Sequence, residues 1–83
     1  MSENTRVAVV SIIVEKPDCV NQINDILHAY SDYIIGRMGI PYREKNISII
    51  SVVVDAPQDV ISNISGRLGR LSGATVKTAY SKK

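Results

Sequence analysis

The sequence of 83 residues contains no phenylalanine and no tryptophan, and only one cysteine and one histidine. With Cys19 alone, no internal disulfide can form, which fits a reducing compartment. Cys19 and His28 do not form a metal-ligand spacing pattern, so the sequence predicts no metal site and no cofactor. It has no carboxylate pair, no nucleophile beside a base and no phosphate-binding loop, so we expect a protein that is not an enzyme.

Apolar runs long enough to span a membrane are also absent. No stretch approaches the roughly 18 residues of a membrane helix, and the N-terminal residues MSENTR lack the apolar core of a signal peptide. We therefore expect a cytoplasmic protein without a membrane partner. The formal net charge is only +2. Without phenylalanine or tryptophan to stack on bases, direct binding of nucleic acid is not expected either.

What the sequence does contain is a set of β-branched runs separated by two helical patterns. Runs of β-branched residues bounded by turn residues predict strands. Apolar residues that recur at helical spacing predict helices with one apolar stripe. The predicted strands are Thr5–Val14, Tyr33–Ile40, Ile47–Val54 and Ala74–Tyr80, and the predicted helices are Cys19–Ser31 and a second one starting at Ala56-Pro57.

Several residues are predicted to mark the ends of these elements. Asp18 is suited to cap the first helix, Pro57 to occupy the first position of the second helix, and Gly73 to terminate it. Pro41 either ends the second strand or marks it as an edge strand, because proline cannot donate to a ladder. Gly66 and Gly69 within the second helix suggest close backbone packing or a frayed last turn.

The order strand, helix, strand, strand, helix, strand predicts an α+β fold of the ferredoxin-like type, βαββαβ. Its four-stranded antiparallel sheet would carry both helices on one face. The first and third strands would be central, which agrees with their long apolar runs. We expect one domain over residues 1–83, with flexible ends at residues 1–4 and 81–83.

The most informative feature is that the central strands are apolar on both faces. A face without helices should alternate to polar residues in a monomer. Here it would carry roughly half a dozen apolar residues from the central strands. A continuous apolar patch usually marks an interface. We therefore predict a homo-oligomer, a dimer or tetramer, formed through sheet faces, edges or both. The alternative is that the C-terminal tail or the 41–46 loop covers this face.

Few side chains are candidates for a chemical or binding role. Arg37 and Arg43 read as a solvated strand edge or, alternatively, as an anion-binding pair at a subunit junction. His28 fits the surface of the first helix, and Cys19 fits a small packed residue. A metal sensor using His28 and Cys19 remains an alternative hypothesis.

Three stretches carry a family resemblance: RVAVVSIIVEK, then IIGRMGIPYREKNISIISVVVDAP, then SGRLGRLSGATVKTAYS. Together they resemble the small proteins described as regulators of the iron-only hydrogenase system, with GRMGIPY as the most specific segment. That family is similar to ACT-like regulatory domains. The resemblance implies a ferredoxin-like fold, a homo-oligomer and a regulatory role without catalysis, with a small-molecule effector or a protein partner. A structural assembly protein without a ligand is the alternative.

The same resemblance implies where a ligand would bind. ACT-like pockets lie between the loop after the first strand and the second strand of a neighbouring copy. The candidate lining at such a junction is Lys16, Asp18, Arg37, Gly39 and Pro41.

Overall fold

The computed structural model describes residues 4–83. In chain order its elements are β1 Thr5–Val14, α1 Val20–Ala29, β2 Ile34–Tyr42, β3 Ile47–Pro57, α2 Gln58–Gly69 and β4 Ala74–Tyr80. Short 3₁₀ turns at Pro17–Cys19, Ser31–Tyr33 and Arg43–Lys45 connect them. None of the helices within residues 4–83 is both long and apolar enough to cross a bilayer.

The strands form one antiparallel sheet in the order β2-β3-β1-β4. The predicted α+β, ferredoxin-like arrangement is thereby confirmed, with β1 and β3 in the centre. Residues that pair directly across neighbouring strands point to the same side of the sheet, so the register shows which side chains share a face.

One face of the sheet holds the core. Val10 and Ile12 of β1 and Val52 and Val54 of β3 are fully buried there. Both helices contribute to the same cluster, through Ile23, Ile26 and Leu27 of α1 and Ile61, Ile64 and Leu68 of α2. Their apolar stripes therefore cover this face, as the helical spacing predicted.

The other face, here called the open face, carries the alternate residues of each strand. Its middle is formed by Val9, Ser11 and Ile13 of β1, which pair with Val53, Ser51 and Ile49 of β3. Val7 and Ile13 are 40% exposed. The prediction that the central strands are apolar on both sides is confirmed, and within residues 4–83 no helix lies over the open face.

Three predicted element ends were wrong. Asp18 does not cap α1: it lies in the preceding 3₁₀ turn, and Cys19 occupies the cap position without a side-chain hydrogen bond. Pro57 lies one position before α2 rather than inside it, because its ψ of 151° is not helical. Gly73 is not the helix cap, because α2 already ends at Gly69 and Arg70 occupies its C-cap position.

Gly73 has a different role, in the turn that leads into β4. Its φ of +92° is a conformation that other residues adopt at a cost. Its carbonyl oxygen accepts hydrogen bonds from the backbone N–H groups of Glu15, at 2.7 Å, and Lys16, at 3.1 Å. The turn therefore ties the end of β1 to the start of β4.

Other boundaries differ by a few residues. β2 extends through Pro41 to Tyr42, so Pro41 marks an edge strand rather than a strand end. A Cβ added at Gly66 or Gly69 would meet nothing within 4 Å, which excludes close backbone packing as the reason for these glycines. The predicted flexible lead-in, residues 1–4, lies outside the described residues except for Asn4, which is in a turn.

Candidate functional site

The main concave feature is a groove between α1 and the edge strand β2, here called the α1–β2 groove. On α1, Val20, Asn24 and His28 recur every four residues and share one side of the helix. On β2, Arg37, Gly39 and Pro41 recur every two residues and share the helix-covered side of the strand. Their β3 partners Val52, Ile50 and Ser48 fix that orientation.

The groove exists because β2 brings little volume to its helix-facing side. Gly39 has no side chain, and a Cβ placed there would meet nothing within 4 Å. Pro41 is compact, and both residues are exposed. The central part of the groove is a cavity of about 220 Å³ lined by Val20, Asn24, Arg37, Gly39, Pro41 and Ser48, among others.

Two further cavities continue the groove at its ends. One of about 480 Å³ lies beside Asn24, Asp25, His28 and Arg37. The other, of about 130 Å³, lies at the far end between Pro17, Val20, Pro41 and Arg43. Among residues 4–83, Asp25 is the only carboxylate that lines any of these three cavities.

Arg37 is the charged group at the middle of the groove. Its Nη2 donates a hydrogen bond to Asn24 Oδ1 at 3.1 Å. No carboxylate within residues 4–83 pairs with it, so its remaining N–H donors are available to a ligand. Asn24 thus holds the guanidinium across the groove while leaving most of its donors free.

The five candidate ligand residues fall into two groups within one chain. Arg37, Gly39 and Pro41 line the same cavity. Lys16 instead packs its Cβ, Cγ and Cδ beside Gly73, and Asp18 lies exposed in the Pro17–Cys19 turn. A site at a junction between copies, in which Lys16 and Asp18 would meet the β2 strand of a neighbour, stays a prediction.

Sequence reasoning missed Asn24 and Val20 as groove residues. The four-residue spacing of Val20, Asn24 and His28 could have revealed that they share one side. That this side looks toward β2 depends on how α1 sits over the sheet, which spacing alone does not give.

Cys19 and His28 occupy different environments. Cys19 is buried at 1% exposure, and its thiol lies 3.2 Å from the carbonyl oxygen of Lys16, which accepts from it. His28 is exposed near the other end of α1. Among residues 4–83, no cluster of three or more potential metal ligands forms around either residue.

The fold places the chain among small ferredoxin-like α+β domains. It resembles the solution structure of the C-terminal domain of the MgtC protein from Mycobacterium tuberculosis, with a TM-score of 0.70 and 12% identity. The match covers 99% of this chain and 94% of that chain. It also resembles 28% of a formyltetrahydrofolate deformylase from Pseudomonas putida, with a TM-score of 0.64, 11% identity and 88% of this chain covered. At these identities the likeness concerns the fold alone.

The particular family follows from closer matches. Residues 6–78 match the TM1266-like family, described as "Iron-only hydrogenase system regulator, putative". The structure of the uncharacterized protein TM1266 from Thermotoga maritima superimposes with a TM-score of 0.90 and 38% identity, covering 94% of this chain and 99% of that one. No curated protein matches significantly. The chain belongs to the TM1266-like family, and the resemblance seen in the sequence is confirmed.

Proposed function

We propose that this protein is a non-catalytic regulatory module of the iron-only hydrogenase system that works as a homo-oligomer and binds a small effector or a protein partner. Membership of a family described as regulators supports the regulatory role. The observation that carries the proposal is the open face of the sheet, where apolar side chains of three adjacent strands remain uncovered.

The open face is continuous from the edge strand to the sheet centre. On β2, Met38 is 58% exposed and Ile40 48%, and Ile40 pairs with Ile49, which in turn pairs with Ile13. Val7 and Tyr42 extend the same surface at its ends, at 40% and 42% exposure.

The free energy at stake is considerable for a chain of this size. Burying an apolar side chain completely contributes about 1.5–3 kcal/mol, so each half-exposed side chain of the open face forgoes about 1 kcal/mol. Several such residues together amount to roughly 5 kcal/mol, which compares with a total stability of about 5–15 kcal/mol for a small domain.

A second copy of the chain is well matched to this surface. The open face presents aliphatic side chains around two small hydroxyl residues, Ser11 and Ser51, which pair at its centre. The open face carries the positive charge of Lys77 on β4 and the negative charge of Asp55 near the end of β3. A nearly neutral apolar surface can meet its own copy without burying like charges.

The effector site of the module is the α1–β2 groove. It holds an arginine that pairs with no carboxylate of the described residues, an amide that positions it and three neighbouring cavities. This arrangement suits a ligand that carries negative charge.

The test combines an open-face variant with a matched control. Ile13→Lys places a charge at the centre of the open face, whereas Ser62→Lys places one on the exposed side of α2. We expect Ile13→Lys to sediment as a monomer and, when it replaces the native gene, to change hydrogenase transcript levels as a gene deletion does. Ser62→Lys should match the wild type in both measurements. Wild-type regulation by monomeric Ile13→Lys would refute the proposal.

A further inference from the structure

β2 differs from ordinary strand edges because its outer side is unprotected along most of its length. It is the terminal strand of the sheet, nine residues long, and every residue from Ile35 to Tyr42 is exposed. Natural edge strands are usually short, charged or covered, because unpaired backbone groups attract another strand. On β2, Pro41 blocks pairing near one end and the register against β3 shifts between Ile34 and Gly36 at the other, but Met38 and Ile40 between them are apolar.

The α1–β2 groove runs along the same edge with a matching repeat. Residues four apart on α1 are about 6 Å apart along the helix. Residues two apart on a strand are about 6.6 Å apart. The three cavities accordingly succeed one another along β2: Arg37 lines the first, Arg37, Gly39 and Pro41 line the central one, and Pro41 and Arg43 line the last.

A strand added to β2 would use both features at once. Its backbone would pair with the free edge, and its alternate side chains would enter the successive cavities of the groove. The other set of side chains would lie beside Met38 and Ile40 and extend the open face. Main-chain pairing would supply affinity, and the cavities would supply specificity.

The charges of the groove indicate which side chains fit. Arg37 and Arg43 line it without a carboxylate partner among residues 4–83, and Asp25 is the only acidic residue lining the three cavities. Carboxylate side chains in the added strand would form charge-assisted hydrogen bonds with these guanidinium groups.

A second copy of β2 fits less well than a foreign strand. Paired with itself, β2 would bring another Arg37 into a groove that already holds one, and Gly39 would leave its cavity empty. We infer that β2 and the α1–β2 groove together bind an extended segment of a partner protein in which acidic residues alternate with apolar ones. This rests on the regulatory role proposed above for its biological meaning, although the binding itself is independent of assembly.

The experiment titrates the whole protein with synthetic peptides and follows its backbone amides by NMR. The probe is a short acetylated peptide that alternates glutamate with valine and is long enough to span Ile35–Ile40. We expect shifts concentrated on β2 and α1. A lysine–valine peptide, and a peptide with the same glutamates and valines in two blocks, should each bind at least about tenfold more weakly.

Two further controls separate side-chain from backbone recognition. Arg37→Met should weaken binding of the glutamate–valine peptide about tenfold, whereas Arg70→Met, which removes an exposed cation at the end of α2, should leave it unchanged. Two further peptides carry N-methyl groups, one on every valine and the other on every glutamate. Alternate N–H groups of a strand point toward or away from its neighbour, so only one of these two peptides should lose binding.

Three outcomes would overturn the inference: no saturable binding of the glutamate–valine peptide, equal binding of the lysine–valine peptide, or equal tolerance of both N-methylated forms. In the free protein, protection from hydrogen exchange of the β2 amides that point away from β3 would also overturn it, because a second copy would then occupy the edge. Sedimentation of the same samples shows independently whether assembly through the open face, and with it the proposed function, fails.

Discussion

The edge strands β2 and β4 flank the same central strands, β3 and β1, but differ in how much of their surface the rest of the chain covers. On β4, alternate residues are half-buried beneath α2, and Thr78 shares a 2.7 Å hydrogen bond with Ser65 of that helix. The Tyr80 hydroxyl accepts a hydrogen bond from Gln58 Nε2 at 3.0 Å. The guanidinium carbon of Arg6 lies over the Tyr80 ring, 4.6 Å from the ring centroid. On β2, Arg37 donates a hydrogen bond to Asn24 of α1, and no other β2 side chain bonds to α1 or α2 within residues 4–83.

This difference suggests a division of labour within a small domain. The β4 side is closed by contacts of the chain with itself, so its residues serve stability. The β2 side leaves backbone, apolar surface and an arginine accessible, and these are the groups that the proposed binding would use. The comparison predicts that similar substitutions will have unequal effects on the two sides.

The largest effect is expected in the core beneath α2. Ile64→Ala removes a fully buried side chain and should lower the free energy of unfolding by about 2–5 kcal/mol. Met38→Ala on β2, where the side chain is 58% exposed, should cost less than about 1 kcal/mol in dilute solution. Urea unfolding of both variants measures the contrast, and similar losses would mean that β2 is as fully packed as the α2 side.

A smaller effect is expected from one glycine beside each edge strand. Gly73→Ala, just before β4, should destabilise by about 1–3 kcal/mol, because φ is +92° and the new Cβ would lie 2.6 Å from Lys16 Cβ. Gly39→Ala on β2 meets open space and should change stability by less than about 0.5 kcal/mol. Thermal unfolding of both variants tests this. A stable Gly73→Ala protein would show that the turn can relax.

The sequence predicted the fold well because the central strands are long β-branched runs and both helices have apolar stripes at helical spacing. Element ends were harder to predict, since capping depends on local backbone angles. Asp18 and Gly73 suited caps and Pro57 suited the first helical position, yet Cys19 and Arg70 occupy the cap positions and Pro57 lies at the N-cap of α2. Arg37, Gly39 and Pro41 were singled out together, and the two-residue spacing that places them on one side of β2 is visible in the sequence. Asn24 and the groove itself follow from the position of α1 over the sheet, which no local pattern specifies.

The central claim is that the open face is covered by another copy of the chain. Sedimentation equilibrium of the wild-type protein across the micromolar range tests it most directly. The account predicts a mass at least twice the 9.1 kDa of one chain, falling toward that value on dilution. A single species of 9.1 kDa throughout that range would contradict the account.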